Sequence, residues 1–357
     1  MEPARRRAST RVCLLHASGS AAYPVRMKRR MPSIVYSVDA GGSGTVVAVW
    51  RAGVVVDTSF YPSIAIASTG TTAACQSLSD VLRGITEHVG KDSWALGCIG
   101  SSSMPVAAEA PAPKPLLDVI AMHAPRGRVV LVNDVVPLLW STPLAGVGIV
   151  ICSGTGSSVL GRNANGEQTK VGGHEHIISD QGSAYSLARE GLRAAGRSND
   201  GTGSTTKLQS LAESFFDLPI PALGRWLAEL PRPRTTIASF APQVTAAAES
   251  GDPVAEAIVQ REARALVDAA VVGAARLSFH AAPRIGLAGG VLHKSAYYRK
   301  LVEDELERQG LTDKSYRNVD LINGARAGAE YAQRLAVGLL DDQPVPLPDG
   351  AVLGSLN

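Results

Sequence analysis

The sequence of 357 residues has few cysteines, few aromatic side chains and no long apolar run. Its four cysteines, Cys13, Cys75, Cys98 and Cys152, show no CxxC spacing. Neither a disulfide framework nor a zinc site is therefore indicated, and a reducing cytoplasm is expected. No stretch reaches the roughly 18 consecutive apolar residues that span a bilayer, which argues against an integral membrane protein. Hydrophobic residues still make up 45% of the chain, a share that favours a well-buried globular protein.

Basic residues outnumber acidic ones in the first 30 residues but not in the rest of the chain. Those residues hold eight Lys and Arg against one Glu, whereas the rest of the chain has 27 basic and 31 acidic residues. A nucleic-acid-binding domain would carry a basic stripe on its folded surface, so neither nucleic acid nor a membrane is expected as a partner. The apolar run from Val12 to Leu15 is too short for a secretory signal. We therefore expect residues 1–32 to be a disordered, dispensable basic leader.

The remaining length is enough for two domains. From Ser33 the chain reads as three strands, SIVYSVD, TVVAVW and VVVDTSF, joined by the glycine-rich turn AGGSG and the short turn RAG. β-Branched runs separated by turn residues predict a meander. Helical patterns and apolar runs then alternate as far as Trp140, which is typical of an α/β domain.

The opening pattern returns at Val147, where GIVICS, GTG, SSVLG, the turn RNANG and EQTKVGG follow one another. Asn165-Gly166 favours a hairpin turn within this second copy. The repeat predicts two α/β domains of like topology, residues 33–145 and 146–340, whose glycine turns face each other across a cleft. Later patterns predict a long helix from Pro253 to Phe279, a strand RIGLAGG, a helix from Ala296, a short strand near Val319, a last helix from Gly324 and a surface tail over 341–357.

The two glycine turns are the first candidates for chemistry. The first comprises Asp39, Gly41, Gly42, Ser43, Gly44 and Thr45, and the second comprises Gly154, Thr155, Gly156 and Ser157. Glycines let backbone N–H groups approach a phosphate, hydroxyls add donors, and a carboxylate holds Mg²⁺ directly or through water. Neither turn has the spacing of a P-loop or of GxGxxG, so each alone is equally an ordinary hairpin. Two such turns at equivalent places of a repeat favour phosphate binding.

Two short motifs at predicted strand ends are further candidates. Asn133-Asp134 follows the strand VVLV, and a carboxylate there projects into the crevice where α/β proteins bind ligands. Asp is also a common helix N-cap, and both roles are compatible. Gly289-Gly290 ends the strand RIGLA, where glycine allows either close approach of a flat ring such as adenine or close packing of a helix on the strand.

The run VGGHEHIISDQGS, from Val171 to Ser183, concentrates glycine, imidazole and carboxylate groups. His174, Glu175 and His176 are a possible metal fragment, but the sequence shows no further ligand to complete it. Several fixed donors and acceptors are also what recognition of sugar hydroxyls needs. The run therefore favours a sugar-binding loop over a metal site.

In this order the motifs resemble the superfamily of hexokinase, actin and heat-shock chaperones, whose members bind ATP between two ribonuclease-H-like domains. From about Ile34 to Ala332 the chain is most similar to the N-acetylglucosamine kinase branch, which belongs to the same family as the ATPase activators of benzoyl-CoA reductase and related dehydratases. GTGSS followed by GGHEHIISDQGS is the most specific part, and DAGGSGT and GLAGG support it.

The resemblance implies a role for each matching residue. Asp134 matches the catalytic base, and Asp39 matches the residue near Mg²⁺. Positions that match nucleotide contacts are Asp39, Gly41, Gly42, Ser43, Gly44, Thr45, Gly154, Thr155, Gly156, Gly251, Gly289 and Gly290. Positions that match sugar contacts are Asn133, Asp134, Ser157, Gly173, His174, Glu175 and Asp180. The family's usual GGWG is replaced here by Gly172, Gly173, His174 and Glu175, and its usual Glu after the loop Asp is Gln181.

The resemblance further implies an ATP-dependent kinase that uses Mg²⁺, phosphorylates a hydroxyl of an amino sugar and forms a homodimer. N-acetylglucosamine and glucosamine are the first candidates for the sugar, and the carboxylate of Glu175 favours a free amino group, as in glucosamine or an aminocyclitol. Two alternatives stay open. One is an ATPase activator of a dehydratase or reductase, which would need cysteine ligands for a bridging iron–sulfur cluster. The other is a catalytically silent nucleotide- or sugar-binding protein.

Overall fold

The structure, a computed structural model, describes residues 13–16, 34–90, 93–106, 112–312, 318–340 and 352–356. Most of the predicted leader and tail lies outside the described residues. Among the described residues, no helix is both long enough and apolar enough to cross a membrane.

The first half of the chain alternates strands and helices as its sequence pattern predicts. Its elements are β1 (Cys13–His16), β2 (Ile34–Ala40), β3 (Thr45–Arg51), β4 (Val54–Tyr61), α1 (Ile66–Thr69), α2 (Thr71–Val89), β5 (Ala95–Ser101), α3 (Lys114–His123), β6 (Gly127–Val132) and α4 (Val135–Leu139). The predicted meander is β2, β3 and β4, which pair antiparallel in that order.

The second half begins with the same meander and then becomes mostly helical. Its strands are β7 (Gly148–Ser153), β8 (Ser157–Arg162), β9 (Gln168–Gly172), β10 (Ile285–Ala288), β11 (Val319–Leu321) and β12 (Val352–Leu356). Its helices are α5 (Glu175–Ile178), α6 (Ala184–Asn199), α7 (Leu208–Phe216), α8 (Ile220–Glu229), α9 (Pro233–Ala238), α10 (Ala241–Glu249), α11 (Pro253–Arg276), α12 (Gly290–Lys294), α13 (Ala296–Arg308) and α14 (Gly324–Leu340).

The two sheets have the same core topology. The first has the order β1-β12-β6-β5-β2-β3-β4 and the second the order β11-β10-β7-β8-β9. If β1 and β12 are set aside, each sheet is an antiparallel meander with two parallel strands added beside its first strand. The predicted α/β fold and its internal repeat are therefore confirmed.

Two strands occur where the sequence analysis assigned none. Cys13–His16 in the leader pairs antiparallel with Val352–Leu356 in the tail. The tail strand in turn pairs antiparallel with β6. The strands Cys13–His16 and Val352–Leu356 thus both lie at the same edge of the first sheet. The predicted limits of leader and tail, residues 32 and 341, stay predictions.

The last helix, α14, lies against the first sheet although the predicted bounds put it in the second domain. The hydroxyl of Ser37 on β2 donates to the carbonyl of Ala325 at 2.6 Å. Small residues permit this approach, because a Cβ atom on Gly328 would lie 2.9 Å from the Cβ of Ser37. The chain therefore returns to the first sheet after completing the second.

Within the described ranges, three apolar clusters form the core of the molecule. One fills the second domain around α11, and one packs α2 and α3 against the first sheet. The third lies between the sheets and includes Val132, Val150, Ile322 and Tyr331. Because this cluster takes side chains from both sheets, it sets the floor of the cleft into which the carboxyl ends of the parallel strands open.

Candidate active site

A cavity of about 360 Å³ opens between the two sheets at the carboxyl ends of their strands. It gathers nearly all the residues singled out in the sequence. Those that line it are Asp39, Gly41, Gly42, Ser43, Gly44, Asn133, Asp134, Gly154, Thr155, Gly156, Ser157, Gly173, Glu175, Asp180, Gly289 and Gly290. Residues from five separate stretches of sequence therefore meet in one place.

The two glycine turns face each other, as the internal repeat predicts. A Cβ atom on Gly42 would lie 3.0 Å from the Cβ of Thr155 and 3.3 Å from its hydroxyl. The first turn joins β2 to β3 and the second joins β7 to β8. Gly289 sits against the second turn with φ of +94°, and any side chain there would overlap the carbonyl of Ser153.

Three predicted site residues lie outside the cavity lining. Thr45 is buried, and its hydroxyl donates to the carbonyl of Pro62 at 3.0 Å, so it fixes the end of the first turn instead of facing the cleft. His174 is exposed at the start of α5. Gly251 lies in the turn between α10 and α11 with φ of +79°. That backbone conformation accounts for its glycine, and the nucleotide contact expected at Gly251 stays a prediction.

Asp39 is the last residue but one of β2 and lines the cavity beside the start of α14. A side chain at Gly324 would overlap the Asp39 carboxylate, so the glycine makes room for it. Burial raises the pKa of Asp39 to about 6, and the nearby His293 opposes the rise. A carboxylate with few positive neighbours in a low-dielectric site is poised to accept a cation.

The adjacent residues Asn133 and Asp134 differ in how their side chains are bonded. The Asn133 amide donates to the carbonyl of Met104 at 2.5 Å and accepts from the backbone N–H of Val135 at 3.2 Å. Its polar atoms are thus used within the protein. Asp134 occupies the N-cap position of α4, as considered from the sequence, but its side chain makes no capping hydrogen bond and instead lines the cavity.

The carboxyl group of Asp134 has a pKa close to neutral pH. Burial raises its pKa to about 7, and the neighbouring Asp39 charge adds to the rise. Lys170, which also lines the cavity, opposes it. A carboxyl group with this pKa is suited to accept a proton from a hydroxyl at physiological pH.

Hydrogen bonds join the second glycine turn to the polar run Val171–Ser183. The hydroxyl of Ser157 donates to the carbonyl of Gln181 at 2.6 Å, and that of Ser153 donates to the carbonyl of Gly182 at 2.7 Å. The N–H of Gly182 donates to the buried carboxylate of Glu262 at 2.8 Å. The run is therefore a structured part of the cavity wall.

Two cations in the cavity were missed by the sequence analysis. Arg234 donates to Asp180 at 2.7 Å and to Glu175 at 2.9 Å. Lys170 on β9 donates to the carbonyl of Gly173 at 3.3 Å. Lys170 could have been found from its place in the strand before the glycine pair, but Arg234 follows Asp180 by 54 residues and no spacing links the two.

His174, Glu175 and His176, the possible metal ligands of the polar run, are not grouped as a metal site. Among the described residues, no three His, Cys, Asp or Glu side chains are grouped so as to hold a metal ion. The ring of His176 instead meets Tyr185 edge-on at 4.8 Å, and burial lowers the pKa of His176. A single carboxylate such as Asp39 can still contribute to a Mg²⁺ site, because that ion is commonly bound by one or two carboxylates together with substrate phosphates.

Comparison with known proteins gives matches over much of the chain. The profile of the BadF/BadG/BcrA/BcrD ATPase family matches residues 38–327. An N-acetylmuramic acid/N-acetylglucosamine kinase of Clostridium acetobutylicum is 33% identical over 150 residues, which are 42% of this chain and 49% of that protein. The chain thus matches about half the length of this relative.

Solved structures share the fold at low sequence identity. A candidate N-acetylglucosamine kinase from Chromobacterium violaceum superposes with a TM-score of 0.64 at 19% identity, over 85% of this chain and 100% of that one. A glucokinase of the ROK family from Streptomyces griseus, in complex with glucose and AMPPNP, gives a TM-score of 0.52 at 18% identity, over 85% and 99%. The expected fold, two ribonuclease-H-like domains with a cleft between them, is confirmed.

Proposed function

Because the chain belongs to the BadF/BadG/BcrA/BcrD ATPase family, we propose that it is an ATP-dependent kinase that phosphorylates a hydroxyl of an amino sugar. The observation that carries the proposal is the position of Asp134, whose uncapped carboxylate, with a pKa of about 7, faces the cavity that both glycine turns line. The kinase relative from Clostridium acetobutylicum supports the same reaction class.

ATP would bind with its phosphates between the two glycine turns and its adenosine towards Gly289 and Gly290. Backbone N–H groups at such turns stabilise charge that develops on the transferred phosphoryl group. Mg²⁺ bound with ATP would supply positive charge to the phosphates, and the Asp39 carboxylate, which lines the cavity, would hold it. Most of the catalytic advantage would come from positioning and charge stabilisation, since phosphoryl transfer asks for little covalent chemistry from the protein.

Asp134 would act as the general base. It would accept the proton of the attacking sugar hydroxyl as the hydroxyl oxygen bonds to the γ-phosphorus and ADP leaves. Asn133 would hold the turn that carries Asp134, because both ends of its amide are already bonded to the backbone. Closure of the two domains would exclude water and so limit hydrolysis of ATP.

The sugar would lie against the second glycine turn and the polar run, where Ser157, Asp180 and Glu175 line the cavity. A free carboxylate at Glu175 would favour a sugar with a free amino group. The Glu175 carboxylate is instead paired with Arg234 at 2.9 Å, so its charge is balanced before any sugar enters. That pairing removes the main reason to prefer an ammonium group, and N-acetylglucosamine and glucosamine both remain first candidates.

The test is release of ADP by the purified chain with ATP and Mg²⁺. The panel would contain N-acetylglucosamine, glucosamine, N-acetylmannosamine, glucose, kanosamine and cyclitols, with a control that lacks any sugar. Release that depends on one amino sugar supports the kinase. Release that is independent of sugar would favour the ATPase activator, whose cluster would also colour the protein, and no release at all would favour the silent binder.

A further inference from the structure

The cavity contains a guanidinium group that the proposed reaction does not use. Arg234 lies on α9, and its side chain is only 13% exposed. One terminal nitrogen donates to Asp180 at 2.7 Å and the other donates to Glu175 at 2.9 Å. Because the guanidinium group is planar and its two terminal nitrogens each bind one carboxylate, it fixes the orientation of both carboxylates.

Both partners of Arg234 have a backbone conformation that side chains disfavour. Glu175 has φ of +66° and Asp180 has φ of +70°. Asp180 is also 2% exposed, and its burial raises its pKa while Arg234 opposes that rise. An unpaired carboxylate in this place would be desolvated without compensation. Arg234 therefore stabilises the charged and strained form of the polar run.

The second glycine turn leaves room for this ion pair. A Cβ atom on Gly156 would lie 2.5 Å from the Arg234 guanidinium and 2.7 Å from the Asp180 carboxylate. The backbone N–H of Ser157, next in the chain, donates to Asp180 at 3.2 Å. The residue proposed to contact phosphate and the pair that faces the sugar are thus in van der Waals contact.

A second arginine in the same segment reaches the other domain. Arg232 donates to the carbonyls of Ile66 and Ala67 at 3.3 and 3.2 Å. These carbonyls belong to α1, and Ala67 lines the cavity. Gly70 makes room for the contact, because a Cβ atom there would lie 2.7 Å from the Arg232 guanidinium.

We propose that Arg234 is the positioning residue of the sugar pocket, and that with Arg232 it forms a clasp that joins the polar run of the second domain to α1 of the first. Pro231 and Pro233 alternate with the two arginines and restrict the backbone between them. Arg234 orients Asp180 and Glu175 towards the sugar. Arg232, two residues earlier, binds α1 of the first domain at the mouth of the cleft and so ties the position of this segment to that domain. This inference rests on the proposed kinase function.

The clasp predicts a specific kinetic pattern. Arg234→Gln removes both ion pairs, and we expect the KM for the sugar to rise about 10- to 100-fold while the KM for ATP changes less than threefold, since hydrogen bonds between charged groups are among the stronger ones. Arg234→Lys keeps the charge without the fork and should recover part of the loss. Arg232→Gln should leave the sugar KM within about threefold and raise the share of ATP that is hydrolysed without transfer.

A readout that needs no turnover separates the clasp from the proposed function. In the protein without ligands, Arg234→Gln should increase hydrogen–deuterium exchange of residues 173–183, and Arg232→Gln should increase it at 64–70. The matched control is Arg225→Gln, because Arg225 is exposed on the neighbouring helix α8 and has no hydrogen bond or ion pair within the described part of the chain.

The outcomes are distinguishable. If the wild-type chain releases ADP with no sugar of the panel, the proposed kinase function fails, and the exchange data alone decide the clasp. Exchange that rises at 173–183 in Arg234→Gln and not in Arg225→Gln supports the clasp. Unchanged exchange, or an unchanged sugar KM in an active wild-type background, overturns it. Folding of each variant is checked by circular dichroism, and Arg234→Lys serves if Arg234→Gln does not fold.

Discussion

The two halves of the molecule have the same strand order but different chemistry at equivalent positions. In the first sheet the last pair between meander strands is Ala40 with Thr45, and in the second it is Ser153 with Ser157. Asp39 and Cys152 each precede that pair, so the first half has a carboxylate where the second half has a thiol. Likewise Asp134 follows β6, whereas Asn323 follows the equivalent strand β11.

The two halves share the features that set the fold and differ in the charges at the ends of their strands. Register, turns and strand order are preserved because they fix the packing of each sheet. The charges are not preserved, and both carboxylates at the strand ends come from the first half. The negative charge of Asp39 raises the pKa of Asp134. Because the two negative charges repel each other, the folded state is less stable when both carboxylates are ionised. A cost to stability of this kind is typical of functional sites, which break local rules that the rest of the fold obeys.

The strongest test of this asymmetry is removal of the proposed base. Asp134→Asn should lower sugar-dependent release of ADP by about 10²- to 10⁴-fold, because general-base catalysis contributes that much. Binding of ATP, measured by calorimetry, should change little. The matched control in the second half is Asp320→Asn on β11, outside the cavity lining, which should keep near-normal turnover. Near-normal turnover of Asp134→Asn would refute its assignment as the base.

The second test compares Asp39 with its counterpart Cys152. Asp39→Asn should lower kcat/KM for ATP at least about tenfold and raise the Mg²⁺ concentration needed for half-maximal rate, since a carboxylate is a much better Mg²⁺ ligand than an amide. Cys152→Ser should cost less than threefold. Rates are measured over a Mg²⁺ titration at fixed ATP. Equal effects of the two substitutions would mean that the halves do not differ in metal binding.

Much of this arrangement was accessible from the sequence because it depends on local patterns. The β-branched runs, the glycine turns and the Asn165-Gly166 hairpin all act over a few residues, and the strands they predict are found. Recurrence of one pattern then predicted that the turns face each other.

The missed features depend on contacts between distant parts of the chain. Arg234 meets Asp180 only because α9 folds back over the polar run, and α14 meets Ser37 across 288 residues of sequence. A nucleotide contact at Gly251, implied by the family motif, stays a prediction, and its place outside the cavity lining depends on how α10 and α11 pack. No local propensity encodes contacts of that kind.

Glycine substitutions test whether the two turns are equally tight. Gly42→Ala would place a methyl group 3.0 Å from Thr155, and Gly156→Ala would place one 2.5 Å from Arg234, whereas Gly41 and Gly154 have 4.0 and 3.9 Å of clearance. We expect the first two substitutions to lower kcat/KM about tenfold, which corresponds to about 1.4 kcal/mol of lost transition-state stabilisation. Gly41→Ala and Gly154→Ala should cost about threefold or less. Similar losses at all four positions would contradict the steric explanation.

The smallest expected effect concerns stability and pH. Folding raises the pKa of Asp134 to about 7 from about 3.9 in an unfolded chain. The stability that its neutral carboxyl contributes is therefore fully present below about pH 4 and is lost as pH rises through 7. Because Asn cannot ionise, Asp134→Asn should raise the Tm of the ligand-free protein by about 2–4 °C at pH 8 and by less at pH 5.

The comparison between the halves supplies the control for this last prediction. Burial raises the pKa of the Cys152 thiol well above its usual range, so it stays neutral across the whole interval. Cys152→Ser should therefore shift the Tm by the same amount at pH 5 and at pH 8, as measured by differential scanning calorimetry. A shift for Asp134→Asn that is equally independent of pH would show that Asp134 keeps its charge throughout. In that case the electrostatic difference between the two halves, and with it the pKa argument for the base, would be wrong.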